Sequence, residues 1–289
     1  MKPSFQSIAV IGKYMNPADL QLMQDELAQL VAHLQSRHIN VIIETQTAQH
    51  AQLSGFATAS LDTIGQQVDL VVVMGGDGTM LSVARTLMAN QVPLVGINRG
   101  RLGFLTDLRT EDMLVEIDKI LAGEYQTEKR MMLDASVHRA GQCIHQGVAL
   151  NDVVVKSALR LIELDVEING QFVSKQRADG LILSSPTGTT AYALSAGGPI
   201  LHPDLNAISL VPISPHTLSN RPITVTSASI CEVTVMHADD AQLSFDGQFQ
   251  QTLNSGDTIR VQRAAQDILL LHPKQYCYFD MLRNKLNWG

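Results

Sequence analysis

The chain has 289 residues, of which 45% are hydrophobic and 17% are charged, which is the balance of a globular protein and excludes a mostly disordered one. At roughly 100–200 residues per domain, this length allows one large domain or two ordinary ones. The 21 basic and 28 acidic residues give a net charge of −7, which argues against general nucleic-acid binding because that binding rests on a basic surface.

The first 124 residues alternate predicted strands and helices. Short apolar runs predict strands at residues 7–12, 41–43, 68–74 and 92–97. A helix capped by Asn16 follows the first strand, and its apolar stripe runs from Leu20 to Leu34 at helical spacing. Two further helices are predicted at residues 80–88 and 113–121. This alternation predicts an α/β domain with a parallel, Rossmann-like sheet and crossover helices.

From about residue 124 the pattern changes to short strands and turns. Strands are predicted at residues 148–155, 163–168, 171–173, 181–183, 208–211, 223–226, 232–236, 258–261 and 268–271. Asn169-Gly170 and Asp246-Gly247 predict type I′ hairpin turns. We therefore expect an α/β domain over residues 1–124 and an all-β, sandwich-like domain over 125–274. Residues 275–289 should form a tail with a short helix that packs on the first domain.

Cysteine usage and hydropathy predict a cytoplasmic protein. Cys143, Cys231 and Cys277 are widely spaced and form no metal-binding pattern, which is typical of a reducing compartment. The apolar run near the N-terminus is too short for the core of a signal peptide. No stretch approaches the ~18 apolar residues of a membrane span, so we expect no membrane association.

The strongest phosphate-binding signal is Gly-Gly-Asp-Gly-Thr at residues 75–79, between a strand and a helix. Ligands bind at the carboxyl edge of open parallel sheets, and bare glycines at a helix N-terminus offer N–H groups and a positive dipole to phosphate. The spacing fits neither a Walker A loop nor a dinucleotide fingerprint, so a plain turn is the alternative. Because an acid repels phosphate, Asp77 should hold a metal ion or take up a proton.

Three other segments carry polar groups, and each has a purely structural alternative. Arg99 and Arg101 lie among glycines, where they could bind phosphate or simply belong to a glycine-rich surface turn. Asn151 and Asp152 open a strand, and this amide and carboxylate suit paired ribose hydroxyls or an Asx turn. Residues 177–199 run from a strand into hydroxyl residues, glycine and proline, and such a loop can wrap a polar ligand.

Together these segments resemble the bacterial NAD kinases, which phosphorylate the adenosine ribose 2′-hydroxyl of NAD with ATP. The resemblance rests on Gly-Gly-Asp-Gly-Thr at 75–79, Gly-Ile-Asn-Arg-Gly at 96–100, Leu-Gly-Phe at 102–104, Asn151-Asp152 and residues 177–199. It covers nearly the whole chain in order. The 75–79 motif alone is shared with diacylglycerol and sphingosine kinases and resembles the phosphofructokinase motif, whereas residues 184–199 are far more specific.

The resemblance implies a role for each matching residue. Asp77 corresponds to the general base that takes the 2′-hydroxyl proton. The implied ATP and phosphate contacts are Gly75, Gly76, Gly78, Thr79 and Asn98. The implied NAD contacts are Asp77, Gly78, Asn151, Asp152, Arg160, Arg177, Asp179, Thr190, Ala191, Tyr192, Ala193, Leu194, Ser195 and Gln248. Asp179 is expected to reach the ligand of a neighbouring subunit, and Asp152 stands where the family more often has Glu.

The resemblance also implies the cofactors and partners. ATP is the expected phosphoryl donor, Mg²⁺ is the expected metal with its ligands unassigned, and NAD is the expected acceptor. A homotetramer or homodimer is expected. Two other functions share some of these features. A diacylglycerol-type lipid kinase would share residues 75–79 but needs an apolar acceptor site, and a non-catalytic NAD-binding regulator would have no need of Asp77.

Overall fold

The structure is a computed structural model that describes residues 5–12, 20–100, 103–157, 160–217, 219–237 and 240–288, with the side chain of residue 20 left out. The chain divides into two compact units. The first unit comprises Met1–Lys129 and Ile268–Gly289, and the second comprises Arg130–Asp267.

Twenty strands and seven α-helices are described. The strands are β1 (Ser7–Gly12), β2 (Asn40–Glu44), β3 (Ala57–Ala59), β4 (Leu70–Met74), β5 (Leu94–Asn98), β6 (Leu108–Arg109), β7 (Tyr125–Arg130), β8 (Leu133–Arg139), β9 (Gln142–Ala149), β10 (Asp152–Lys156), β11 (Ile162–Ile168), β12 (Gln171–Ala178), β13 (Gly180–Ser184), β14 (Ala207–Ile213), β15 (Ile223–Thr226), β16 (Cys231–His237), β17 (Gln242–Phe245), β18 (Phe249–Thr252), β19 (Thr258–Arg263) and β20 (Ile268–Pro273). The helices are α1 (Leu20–Ser36), α2 (Thr45–His50), α3 (Leu61–Ile64), α4 (Asp77–Leu87), α5 (Met113–Leu121), α6 (Tyr192–Ser195) and α7 (Tyr278–Leu286).

The first unit is built on an eight-stranded sheet in the order β3-β2-β1-β4-β5-β20-β7, with β6 paired to β5. β1 pairs in parallel with β2 and β4, and β4 pairs in parallel with β5. The central strands β4 and β5 are buried along their whole length, because helices cover parallel strands. This confirms the predicted parallel sheet.

Helix α1 confirms the predicted apolar stripe, since Met23, Leu27 and Leu34 are fully buried against the sheet. The capping residue proposed for this helix, Asn16, lies outside the described residues. Helix α4 begins at Asp77, three residues before its predicted start, so the glycine loop runs directly into the helix.

The second unit consists of two six-stranded antiparallel sheets, which confirms the predicted sandwich-like class. Their strand orders are β15-β14-β13-β10-β17-β18 and β12-β11-β16-β19-β8-β9. Alternate residues of both sheets share one core, for example Val153 of β10, Leu164 of β11 and Phe245 of β17. Asn169 and Asp246 adopt positive φ angles of 54° and 52°, as their predicted hairpin turns require.

The strand at Ile268–Pro273 lies in a different sheet from the one expected. It had been expected in the β-rich domain, but its Leu270 pairs in parallel with Leu94 of the first unit's sheet. A short apolar strand carries no signal for which sheet it joins, so local sequence could not make this assignment. The units therefore change at 129/130 and 267/268, against predicted positions of 124/125 and 274/275. Helix α7 is part of the first unit.

The predicted strand at residues 148–155 is also divided. Strand β9 ends at Ala149 and β10 begins at Asp152, so the chain changes sheets at Leu150 and Asn151. Asn151 and Asp152 therefore lie at the start of β10.

Candidate functional site

The glycine loop leaves the buried strand β4 and enters helix α4. The Gly75 N–H bonds to the carbonyl of Ile97 at 2.9 Å, and Gly76 is the N-cap residue of the helix. A Cβ at Gly75 would come within 2.6 Å of Thr79 Oγ1, so the tight turn needs glycine. The first N–H groups of a helix have no partner within the helix, so this loop can bind an anion.

Asp77 is the first residue of α4, and its carboxylate accepts three hydrogen bonds from the segment 104–106. Phe104 N–H donates to Oδ2 at 2.8 Å, and Leu105 N–H donates to Oδ1 at 3.0 Å. The Thr106 hydroxyl also donates to Oδ1, at 3.2 Å. A carboxylate offers about four lone-pair positions, so Oδ2 keeps room for one more donor beside those of the described residues.

Gly103 makes this arrangement possible. A Cβ at that position would lie 1.9 Å from Asp77 Oδ1 and 2.5 Å from Thr106 Oγ1. Any other residue at 103 would push the carboxylate away from its donors. Gly103 is therefore needed for the position of Asp77, a role that the sequence motif did not reveal.

Asn98 supports Asp77 indirectly. Its side chain is 6% exposed, donates to Thr106 Oγ1 at 2.8 Å and accepts from Gly100 N–H at 2.7 Å. The amide thus holds the hydroxyl that bonds to Asp77, although the sequence led us to expect a phosphate contact. Such buried amides often satisfy loop backbone, because both ends of the group can bond.

The arginines expected beside this loop differ in their surroundings. Arg99 Nε lies 2.5 Å from Glu26 Oε2, and both side chains are mostly buried. Its charge is therefore already neutralised within the first unit. Arg101, and Leu102 of the same motif, lie outside the described residues.

In the second unit, Asn151 and Asp152 are held by the carboxylate of Asp246. Leu150 N–H donates to Asp246 Oδ2 at 3.1 Å, and Asn151 N–H donates to Oδ1 at 2.7 Å. Asp152 N–H donates to Oδ1 at 3.2 Å, and the Asp246 N–H bonds back to the Asp152 carbonyl at 2.9 Å. The hairpin turn and the start of β10 therefore form one hydrogen-bonded unit.

Asp152 is 4% exposed, and its surroundings disfavour a negative charge. Burial and the nearby charge of Asp246 raise the pKa of the Asp152 carboxyl to about 7. Near neutral pH this carboxyl can therefore either donate or accept a hydrogen bond, which suits a partner with hydroxyl groups.

The hydroxyl residues from the end of β13 onwards point into the protein, which favours the structural alternative over a loop that wraps a ligand with these side chains. Ser184, Ser185, Thr187 and Thr189 are at most 5% exposed. The Ser185 hydroxyl bonds to the Leu150 carbonyl, and Thr189 Oγ1 accepts from Leu201 N–H at 3.0 Å. Small hydroxyl side chains often satisfy backbone groups in this way, so here they fix the loop that presents the residues after it.

The residues that follow, 190–195, are more open. Ala193 is fully buried, whereas Tyr192 is 39% exposed and lies 6.0 Å from Lys156 Nζ, measured to its ring centroid. Thr190, Ala191 and Leu194 are partly exposed and Ser195 is exposed. This segment therefore offers a surface to a ligand.

A cavity of about 400 Å³ in the second unit brings together three of the predicted NAD contacts. Arg160, Asp179 and Tyr192 line it, and so do Lys156 and His216. His216 belongs to none of the motifs that the sequence analysis identified, so the sequence did not predict its place in this cavity. Lys156 and Arg160 give this cavity two positive charges against the one negative charge of Asp179, which suits a ligand that carries negative charge.

The predicted NAD contacts of the second unit lie at both ends of one strand. β10 begins at Asp152 and ends at Lys156, which is about 13 Å of extended chain. Gln248 closes the Asp246 turn through its N–H bond to the Phe245 carbonyl at 3.0 Å. Arg177 is exposed, and its Nε lies 3.3 Å from Glu163 Oε1. It therefore belongs to an ion pair that is separate from the hydrogen-bonded cluster around Asp246. Only an elongated ligand could contact both ends of β10.

The described residues contain no group of three or more His, Cys, Asp or Glu side chains that could hold a metal ion. Mg²⁺ in phosphoryl-transfer sites is held by one or two carboxylates and by the phosphates of the substrate. A single carboxylate at the phosphate loop, such as Asp77, is compatible with a metal of that kind. No described helix is long and apolar enough to cross a membrane.

The fold combines a parallel sheet, whose glycine loop leads directly into a helix, with two antiparallel sheets, and this loop defines the chain as a phosphate-binding protein. Residues 14–125 match the family model of the ATP-NAD kinase N-terminal domain, and residues 150–272 match that of the C-terminal domain. The chain therefore belongs to the NAD kinase family, which confirms the resemblance seen in the sequence.

Relatives and solved structures match this chain over almost its full length. The chain is 49% identical to the NAD kinase of Thiobacillus denitrificans, covering 100% of this chain and 99% of that protein. It is also 49% identical to the NAD kinase of Aromatoleum aromaticum, covering 100% and 96%. Yeast NADH kinase complexed with NADH superposes with a TM-score of 0.89 at 26% identity, covering 99% of this chain and 89% of that one.

An NAD kinase from Archaeoglobus fulgidus in complex with ATP superposes with a TM-score of 0.77 at 25% identity, covering 98% of this chain and 100% of that one. These comparisons favour neither the lipid kinase nor the non-catalytic regulator.

Proposed function

We propose that the chain transfers the γ-phosphoryl group of ATP to the 2′-hydroxyl of the adenosine ribose of NAD, which gives NADP and ADP. One observation carries the mechanism. The Asp77 carboxylate is fixed at the N-terminus of α4 by three donors, and its Oδ2 can still accept another hydrogen bond. A carboxylate held in this way is suited to receive a hydroxyl proton.

In this mechanism the 2′-hydroxyl donates to Asp77 Oδ2. As the oxygen attacks the γ-phosphorus, the bond to the ADP oxygen breaks and the proton passes to Oδ2. Phosphoryl transfer depends mainly on positioning and on charge stabilisation, and the glycine loop at 75–79 supplies both through helix N–H groups. Thr79 is 8% exposed, and its N–H bonds to the Gly76 carbonyl at 2.9 Å, which stabilises the turn of the loop.

Mg²⁺ is the divalent metal that we propose for this reaction. The phosphates of ATP at the glycine loop would hold it, since the one acceptor position that remains on Asp77 receives the 2′-hydroxyl. When bound, the metal neutralises charge that develops on the transferred group. Gly76 and Gly78, which are exposed, offer the backbone along which the phosphates would lie.

NAD is proposed to bind through the residues of the second unit. Asn151 and Asp152 contact ribose hydroxyls, and Tyr192 with its neighbours packs on the nucleotide. Asp179 lies at the far end of β10, which supports its expected role towards the ligand of a neighbouring subunit in a homotetramer or homodimer. That oligomer and a cytoplasmic location remain predictions, and light scattering after gel filtration tests the oligomer.

A direct assay tests the proposed reaction. The purified chain is incubated with Mg-ATP and NAD, and NADP is measured with a dehydrogenase specific for NADP. Parallel reactions receive diacylglycerol as the acceptor or lack Mg²⁺. NADP formation only in the presence of NAD, ATP and metal supports the proposal, whereas phosphorylated lipid or bound but unmodified NAD contradicts it.

A further inference from the structure

The Asp246-Gly247 turn contacts the start of β10 more extensively than a hairpin turn requires. A type I′ turn needs only positive φ angles at its two central residues, and Asp246 and Gly247 have 52° and 66°. The Asp246 carboxylate could therefore face solvent without any change in the turn. It is instead 9% exposed and accepts the N–H groups of three successive residues that lead into β10 and include its first residue.

Three successive N–H groups that converge on one carboxylate form an anion-binding nest. Bonds from N–H donors to a charged acceptor are roughly twice as strong as those between neutral groups. The fourth bond, from the Asp246 N–H to the Asp152 carbonyl, fixes the direction of the strand start as well. Leu150 and Asn151 connect two different sheets, so no regular pairing within one sheet would hold them in place.

We propose that Asp246 is a positioning residue, whose carboxylate holds the backbone of Asn151 and Asp152 in the conformation that binds NAD. This inference rests on the proposed function, which places these two residues at the ribose. The same turn carries Gln248, so one side chain fixes both predicted contact points relative to each other. Asp246 itself touches no substrate.

A second consequence concerns charge. The negative charge of Asp246 lies beside the buried Asp152 and is one of the two causes that raise the pKa of Asp152. A neutral residue at 246 would therefore let Asp152 ionise at lower pH. This shift follows from the charge of Asp246 alone, so it shows that the two carboxyl groups are adjacent, and the KM for NAD tests the positioning role.

The test uses Asp246→Asn, because asparagine tolerates the positive φ and has nearly the same shape. Its amide oxygen can replace Oδ1, whereas its NH₂ group would face the Leu150 N–H. We expect the KM for NAD to rise about tenfold while the KM for ATP stays within twofold. The pH profile of kcat/KM for NAD should move to lower pH.

Asp257→Asn is the matched control. Asp257 is also fully buried and accepts a backbone N–H, that of Asn254 at 2.7 Å, but it lies in the segment before β19 and pairs with Arg139. This variant should be less stable than the wild type and retain its KM for NAD and its pH profile.

Two outcomes would overturn the inference. If Asn151→Ala raises the KM for NAD and Asp246→Asn does not, Asp246 is not a positioning residue although the NAD site stands. If neither variant changes the KM, the assignment of the NAD site fails as well. Hydrogen exchange in the wild-type protein adds a test that needs no variant, since fast exchange of the Leu150, Asn151 and Asp152 amides would contradict the proposal.

Discussion

The two units each contain a carboxylate that accepts three donors from a neighbouring segment, and the two carboxylates differ in what surrounds them. Asp77 in the first unit is half-buried at a helix N-terminus, where the helix dipole favours its charge. Asp246 in the second unit is buried beside a second acid, Asp152. The first carboxylate keeps room for one more donor, whereas the second, as we propose, holds residues that contact NAD.

Under the proposed function, similar hydrogen bonding of a carboxylate serves catalysis in one unit and structure in the other. Both are followed by glycine in the sequence, at Gly78 and Gly247. Residue type and local pattern therefore do not separate the two roles. The exposure of the carboxylate and the identity of its neighbouring groups separate them.

The strongest test of the comparison is Asp77→Asn. We expect kcat to fall by about 10²–10⁴-fold with little change in the KM for NAD, because the amide cannot take up the proton. The NH₂ group would also face either the Phe104 or the Leu105 N–H, so the melting temperature should fall by a few degrees. Steady-state kinetics and thermal melts measure both effects, and a turnover close to that of the wild type would remove Asp77 from the role of base.

A second test uses the pH dependence of stability at Asp152. Its pKa is about 7 in the folded protein and about 3.9 in an unfolded chain, so the folded state binds the proton more tightly between these values. Stability from this group is therefore greatest at low pH and falls as pH rises from about 4 to 7, with a limiting slope of about 1.4 kcal/mol per pH unit.

Asp152→Asn should remove this contribution. The unfolding free energy of the variant minus that of the wild type should increase from pH 5 to pH 7 and become constant at higher pH. Urea unfolding at several pH values measures it, and other titrating groups cancel in the difference. A difference that does not change with pH would show that Asp152 has an ordinary pKa.

The smallest expected effect comes from Thr106→Val, which removes one of the three donors to Asp77 without changing the shape of the side chain. We expect kcat to fall by about fivefold and stability by about 1 kcal/mol, because the carboxylate becomes less firmly held. The control is Thr258→Val, which breaks the 3.0 Å contact between the hydroxyls of Thr258 and Thr234 in the second unit. If both variants leave kcat unchanged, Thr106 does not position the base.

Much of the fold could be predicted because periodicity and turn chemistry are local. The apolar runs of β4 and β5, the stripe of α1 and the two Asx-Gly turns each carry their own signal within a few residues. The strand Ile268–Pro273 shows the limit of such signals. Its apolar residues predict a strand, but its partner β5 lies more than 150 residues earlier in the chain.

In the candidate site, too, some residues could be predicted from the sequence and others could not. The glycine loop and Asp77 were recognisable because phosphate binding at a helix N-terminus needs glycines next to one another in sequence. The support from Asn98, Gly103 and Thr106 was not, since it depends on a segment some 25 residues away. The turn at Asp246 was predicted, but its contact with Leu150 spans 96 residues.

The sequence by itself therefore determined the family, the change from an α/β to an all-β pattern, and the chemical groups available for phosphoryl transfer. These follow from residue types and short spacings, which act over a few residues. The tertiary structure alone decided which carboxylate remains partly exposed, which hydroxyls bond to the protein backbone, and why the pKa of Asp152 is raised to about 7. Those properties depend on burial and on neighbours distant in the chain, and only the folded protein creates either.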